Sequence, residues 1–109
     1  MRRKSRKILF VKKHANHIHF KRRLLSRYGL TINSSEHKEL VAWMKLNKSK
    51  ISIFPSTLSR NIVLLSFKGV EILALYDKGQ NNFVTALPIE KKLRYFPEKE
   101  SQITLNIAL

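Results

Sequence analysis

His19, Arg23 and Arg27 recur every four residues in the stretch HANHIHFKRRLLSRYGL, residues 14–30. On a helix of about 3.6 residues per turn they form one polar stripe, about 100° around from Phe20, Leu24 and Tyr28. The stripe is expected in the groove where helix meets sheet. An imidazole beside two guanidinium groups has the parts for metal-independent RNA cleavage. A base takes the proton of the ribose 2′-hydroxyl, the freed oxygen attacks the adjacent phosphorus, and an acid protonates the departing 5′-oxygen. Histidine suits either proton transfer near neutral pH. Arginine, always charged and able to bind two phosphate oxygens, suits the negative charge that grows on the phosphorane. The scheme needs no cofactor, and it excludes DNA, which lacks the attacking hydroxyl. The plainer reading of the same stripe is a face that holds phosphate without reacting.

The surrounding charge points to a polyanion in either case. The chain has 109 residues, 22 of them Lys or Arg against 7 Asp or Glu, for a formal charge of +15. The first carboxylate is Glu36, so residues 1–29 carry 11 cations and no acid, while residues 30–109 are only +4 net. So lopsided a field is the footprint of a protein whose partner is a phosphate backbone. Arg2, Arg3, Lys4, Arg6, Lys7, Lys12, Lys13, His17, Lys21 and Arg22 are the expected RNA-binding residues around the stripe. His14 reads as more of that surface, and His37, between Glu36 and Lys38, as a solvated residue of a first helical turn. A metal bound by His14 and His17 lacks a third ligand and is not expected.

Other classes are disfavoured. The opening MRRKSRKILF offers an interfacial helix only Ile8, Leu9 and Phe10, and no apolar run reaches a membrane span. A secretory pattern is missing, and the Arg-rich start, although presequence-like, runs straight into the patterned region. Cysteine is absent, which removes disulfides and thiolate metal sites and suits a reducing compartment. A cytoplasmic protein is expected, with an organelle matrix as the variant. DNA binding by a helix-turn-helix would want a basic second helix, whereas that segment carries Glu36 and Glu39.

The elements that must position the stripe follow from periodicity. Residues 1–13 read as a basic arm, its first seven residues mobile when unbound, with Ile8–Val11 either an edge strand or a lead-in. A first helix is expected from His14 to Tyr28, with Phe20, Leu24 and Tyr28 as its apolar stripe and Ile18 and Leu25 beside them. Gly29 follows where a left-handed cap is wanted. Asn33 and Glu36 make a capping box for a second helix, whose Leu40, Val41 and Met44 recur at helical spacing, with Trp43 at the edge. The period then turns extended. ISIF (51–54), NIVLLSF (61–67), VEILALY (70–76) and NFVTALP (82–88) read as strands, the middle two joined at Lys68-Gly69 as a hairpin. The fold class is therefore α+β: two N-terminal helices packed on an antiparallel sheet of about four strands, spanning residues 14–88. Residues 89–109 form a charged tail in which ITLNIAL (103–109) could add an edge strand.

The run H-x3-R-x3-R followed by YGL, then a capped helix, then strands closing on V-T-A-L-P, resembles small phage- and plasmid-encoded proteins of the RelE-like toxin group. These belong to the broader barnase–EndoU–colicin–RelE fold. The matching residues are His19, Arg23, Arg27, Tyr28 and Gly29, then Ser59-Arg60, Tyr76-Asp77 and Val84-Thr85. The resemblance implies helices packed on a curved antiparallel sheet, with RNA across the other face. It implies His19 as acid or base, Arg23 and Arg27 on the scissile phosphate, Arg60 as a further clamp and Thr85 as an orienting hydroxyl. The resemblance implies action on RNA, either ribosome-bound message or transfer RNA, and an acidic antitoxin as partner. Plainer readings stand beside these: Arg60 as an ordinary residue opening a strand, Tyr76 as a core or rim aromatic, and Thr85, in alternation with Phe83 and Leu87, as a half-buried β-former. The arm and the charged tail depart from the toxin pattern and favour the alternative, a non-catalytic subunit of a ribosome or other ribonucleoprotein.

Overall fold

A computed structural model describes the backbone of residues 2–98 and the side chains of residues 14–98. Helix α1 spans Arg2–Tyr28 and helix α2 Ser34–Leu46, followed by a 3-10 turn at Lys48–Lys50. Strands β1 (Ser52–Pro55), β2 (Arg60–Phe67), β3 (Val70–Asp77) and β4 (Asn82–Leu87) form an antiparallel sheet in the order β1-β2-β3-β4. A second 3-10 turn at Ile89–Lys91 leads into the short helix α3, Lys92–Tyr95. The α+β class and the four-stranded antiparallel sheet match the sequence reading. The basic stretch does not begin as an arm separate from the helix, because α1 starts at Arg2 and runs unbroken through residues 8–13. Residues 8–11 are thus part of α1 and not an edge strand. The suggested strand at 103–109 lies outside the described residues.

Local chemistry explains each boundary. Gly29 takes φ +66° and its N–H donates to the Leu25 carbonyl at 2.9 Å, an αL cap that ends α1. Asn33 caps α2 reciprocally with Glu36: its Oδ1 accepts Glu36 N–H at 2.7 Å, and Glu36 Oε1 accepts Asn33 N–H at 3.0 Å. Lys68 and Gly69 both have positive φ, +52° and +78°, as a two-residue type I′ hairpin requires. Lys68 stays in place there because its ammonium donates to the Thr31 carbonyl at 2.7 Å and pairs with Glu36 at 2.9 Å. The hydrogen bond from Lys68, then that from the Asn33 N–H, holds the Glu36 carboxyl below its ordinary range.

The two faces of the sheet bury different clusters. Phe20 and Leu24 of α1 and Leu40, Val41 and Met44 of α2 meet Val63, Leu65, Ile72, Ala74, Tyr76, Phe83 and Ala86 on one face. On the other, Ile62, Leu64 and Leu73 pack with Phe96. Side chains three apart on β4, Phe83 and Ala86, share the helical face because the register slips between them: Tyr76 pairs with Phe83 but Leu75 with Thr85. Val84 is the extra residue of a β-bulge. Ile18 and Leu25, expected beside the apolar stripe of α1, are exposed.

Tyr28 locks the end of α1 to the sheet. Its hydroxyl accepts the Leu73 N–H at 3.0 Å and donates to the Leu87 carbonyl at 2.6 Å, so it sits between β3 and β4. Burial holds the phenol above its ordinary pKa, which keeps it a donor. Tyr28→Phe leaves a backbone N–H and a carbonyl without this partner and should destabilise the fold by about 1–3 kcal/mol. The urea midpoint measures the loss, and an unchanged midpoint would show that water replaces the hydroxyl.

Candidate nucleic-acid interface and histidine cavity

The stripe does not lie in the groove between helix and sheet. His19, Arg23 and Arg27 are all exposed. The reason is angular: each member precedes a residue of the apolar stripe by one position, about 100° around the helix, and steps of four residues add a drift of about 40° each. Arg27 borders the sheet and donates through Nη1 to the Ala86 carbonyl at 2.6 Å. Going back along the helix, Arg23 and then His19 turn progressively away.

The two strand residues assigned to the same site are also elsewhere. Arg60 pairs with buried Asp77, Nε to Oδ2 at 3.2 Å, while Asp77 Oδ1 accepts the Gln80 N–H at 2.9 Å. Arg60 thereby braces the β3–β4 turn. Thr85 pairs with Leu75 on the face opposite α1, because the bulge at Val84 separates it from Phe83. Tyr76 is a core aromatic whose hydroxyl donates to Asn81 Oδ1 at 2.6 Å. Sequence reasoning thus grouped five residues that the fold distributes over two faces of the sheet.

Of the expected RNA-binding residues, Lys21 and Arg22 are exposed on α1. Arg2, Arg3, Lys4, Arg6, Lys7, Lys12 and Lys13 lie on the same helix, and their side chains fall outside those described. His17 has a different part. Its Nδ1 lies 2.8 Å from Nδ1 of His37, and His37 Nε2 accepts the Phe83 N–H at 2.9 Å. His37 is only 4% exposed, not solvated, with its ring against Phe20 and Phe83.

These contacts fix both tautomers. Nε2 of His37 accepts from the backbone, so its proton sits on Nδ1 and is donated to Nδ1 of His17. His17 then carries its own proton on Nε2, which lies 3.5 Å from Ser34 Oγ. A second proton on His17 would set two N–H groups against each other. Burial, then the charges of Lys21 and His14, lower the pKa of His17, in agreement with a neutral ring. Beside this pair α1, α2 and the β3–β4 turn form an open cavity of about 540 Å³. It is lined by His14, His17, Ser34, His37, Lys38, Lys45, Asn81 and Asn82, together with Val41 and Ala42. No carboxylate lines it among the described residues.

No family model, curated protein or solved structure matches the chain. Among the described residues no three His, Cys, Asp or Glu side chains converge as metal ligands, and no helix is long and apolar enough to cross a membrane.

The lowered pKa of His17 has a sign. The unfolded chain, with an ordinary histidine pKa of 6.5, binds this proton more readily than the folded one. Stability linked to His17 is therefore complete above pH 6.5 and declines as the pH falls below it. Urea midpoints taken from pH 7.5 down to 5 should fall for the wild type and fall less for His17→Gln. Equal slopes would remove His17 as the cause.

Proposed function

We propose that the chain binds RNA through the exposed side of α1. The observation that carries this reading is unbalanced charge. Lys21, Arg22, Arg23 and Arg27 stand exposed on a helix with no carboxylate, and the three described ion pairs (Arg60–Asp77, Lys68–Glu36 and Lys92–Glu71) use none of them. Such a cluster relieves its repulsion by taking up phosphates and releasing their counterions.

Within this reading, a binding subunit of a ribonucleoprotein fits better than a RelE-like endoribonuclease. Cleavage needs an acid and a base on either side of one phosphate. His19 stands on open surface, Arg60 is held by Asp77, and Thr85 is across the sheet. An acidic antitoxin, if the protein is a toxin, would compete for the same cations.

The test is titration with RNA at increasing salt, with cleavage followed in EDTA. Wild type and His19→Ala should bind alike, with steep salt dependence, and leave the RNA intact. Products with 2′,3′-cyclic phosphate ends that disappear in His19→Ala would make the protein an enzyme instead. Affinity indifferent to salt would sink both versions.

A further inference from the structure

We propose that the cavity beside the histidine pair is a binding site for a nucleoside monophosphate, either free or as the terminal nucleotide of an RNA. The site is built by three elements. His14 and His17, three residues apart, form the α1 wall. Lys38, Val41, Ala42 and Lys45 fall at i, i+3, i+4 and i+7 and form the α2 wall. Asn81, held by the Tyr76 hydroxyl, closes it from the β3–β4 turn. A further bond from Asn16 Nδ2 to Gln80 Oε1, 2.6 Å, fixes α1 against that turn.

The donors specify an anion. Lys38 and Lys45 bring two ammonium groups, and no carboxylate opposes them among the described residues. His17 offers an N–H, not a lone pair, because the chain from the Phe83 amide through His37 leaves its proton on Nε2. That orientation is set by backbone and costs the ligand nothing to arrange. Ser34 adds a hydroxyl 3.5 Å away. A bare phosphate would fill little of about 540 Å³, a volume in the range of small-molecule sites. Val41, Ala42 and the imidazole ring of His14 supply an apolar and planar surface, which suits a base attached to that phosphate. The cavity is separate from the exposed arginines of α1, so its occupancy does not depend on the RNA-binding reading.

The probe is adenosine 5′-monophosphate, with adenosine and inorganic phosphate as comparisons, followed by the imidazole NMR signals of His17 and His37. The monophosphate should shift these signals saturably, and at least tenfold more tightly than adenosine or phosphate alone. Lys38→Glu/Lys45→Glu, exposed positions that leave the core intact, should weaken it at least tenfold. The charge-matched pair Lys91→Glu/Arg94→Glu, also exposed, should leave it unchanged. A 5′-phosphorylated trinucleotide binding more tightly than the monophosphate would assign the site to an RNA end, and equal or weaker binding to the free nucleotide. Failure of the monophosphate to saturate at millimolar concentration, equal binding of adenosine, or equal loss in both double variants would overturn the proposal.

Discussion

Replacing Arg22, Arg23 and Arg27 together by Gln should flatten the salt dependence of RNA binding by about three units of logarithmic slope, since each phosphate-contacting cation contributes about one. The reduction should be nearly independent of RNA sequence, because contacts to phosphate position a protein without reading bases. Fold stability should change little at Arg22 and Arg23, which are exposed. Arg27 adds a modest loss through its bond to the Ala86 carbonyl. A parallel experiment with Lys50, Lys91 and Arg94 replaced by Gln, three exposed cations away from α1, tests whether position matters or only net charge. Equal flattening in both would reduce the interface to a diffuse field and remove α1 from its special role.

Phe20→Ala should destabilise the fold by about 3–5 kcal/mol, the usual range for a large aromatic removed from a core. Phe20 is fully buried, stacks on Phe83 with ring centroids 5.1 Å apart, and lies 5.1 Å from the His37 ring. The cavity would open beneath both helices and loosen the histidine pair as well. Because a domain this size is stable by only about 5–15 kcal/mol, part of the population could be unfolded at 37 °C. Thermal denaturation by circular dichroism gives the result directly. A melting point within a few degrees of wild type would mean that neighbouring side chains collapse into the space.

What the sequence disclosed was whatever depends on neighbours a few residues apart. The Asn33–Glu36 box, the left-handed Gly29 and the Lys68-Gly69 hairpin are local devices, and each stands where its residues put it. The functional site was harder because it depends on which face a residue takes. His37 sits three and four residues ahead of Leu40 and Val41 and seven ahead of Met44, so its place on the apolar face of α2 was legible in the spacing; its polarity suggested solvent instead. His17 likewise precedes Phe20 by three and Leu24 by seven. The i, i+4, i+8 rule set His19, Arg23 and Arg27 on one line of α1, but that line stands about 100° around from the buried one. The bulge at Val84 was not identified from sequence, since a strand apolar on both faces also accommodates consecutive apolar residues such as Phe83 and Val84. The pairing of Arg60 with Asp77, 17 residues on, needed the register of β2 against β3.

The Tyr28 hydroxyl between β3 and β4 has a kinetic consequence. The Leu73 amide donates to a side chain of the last turn of α1, so its protection depends on that turn staying seated. Its deuterium uptake is therefore a clock for undocking of the helix, separable from the opening of the sheet reported by the other amides of β3. Occupancy of α1 by a ligand that needs the helix seated would slow that one amide before any other signal changed.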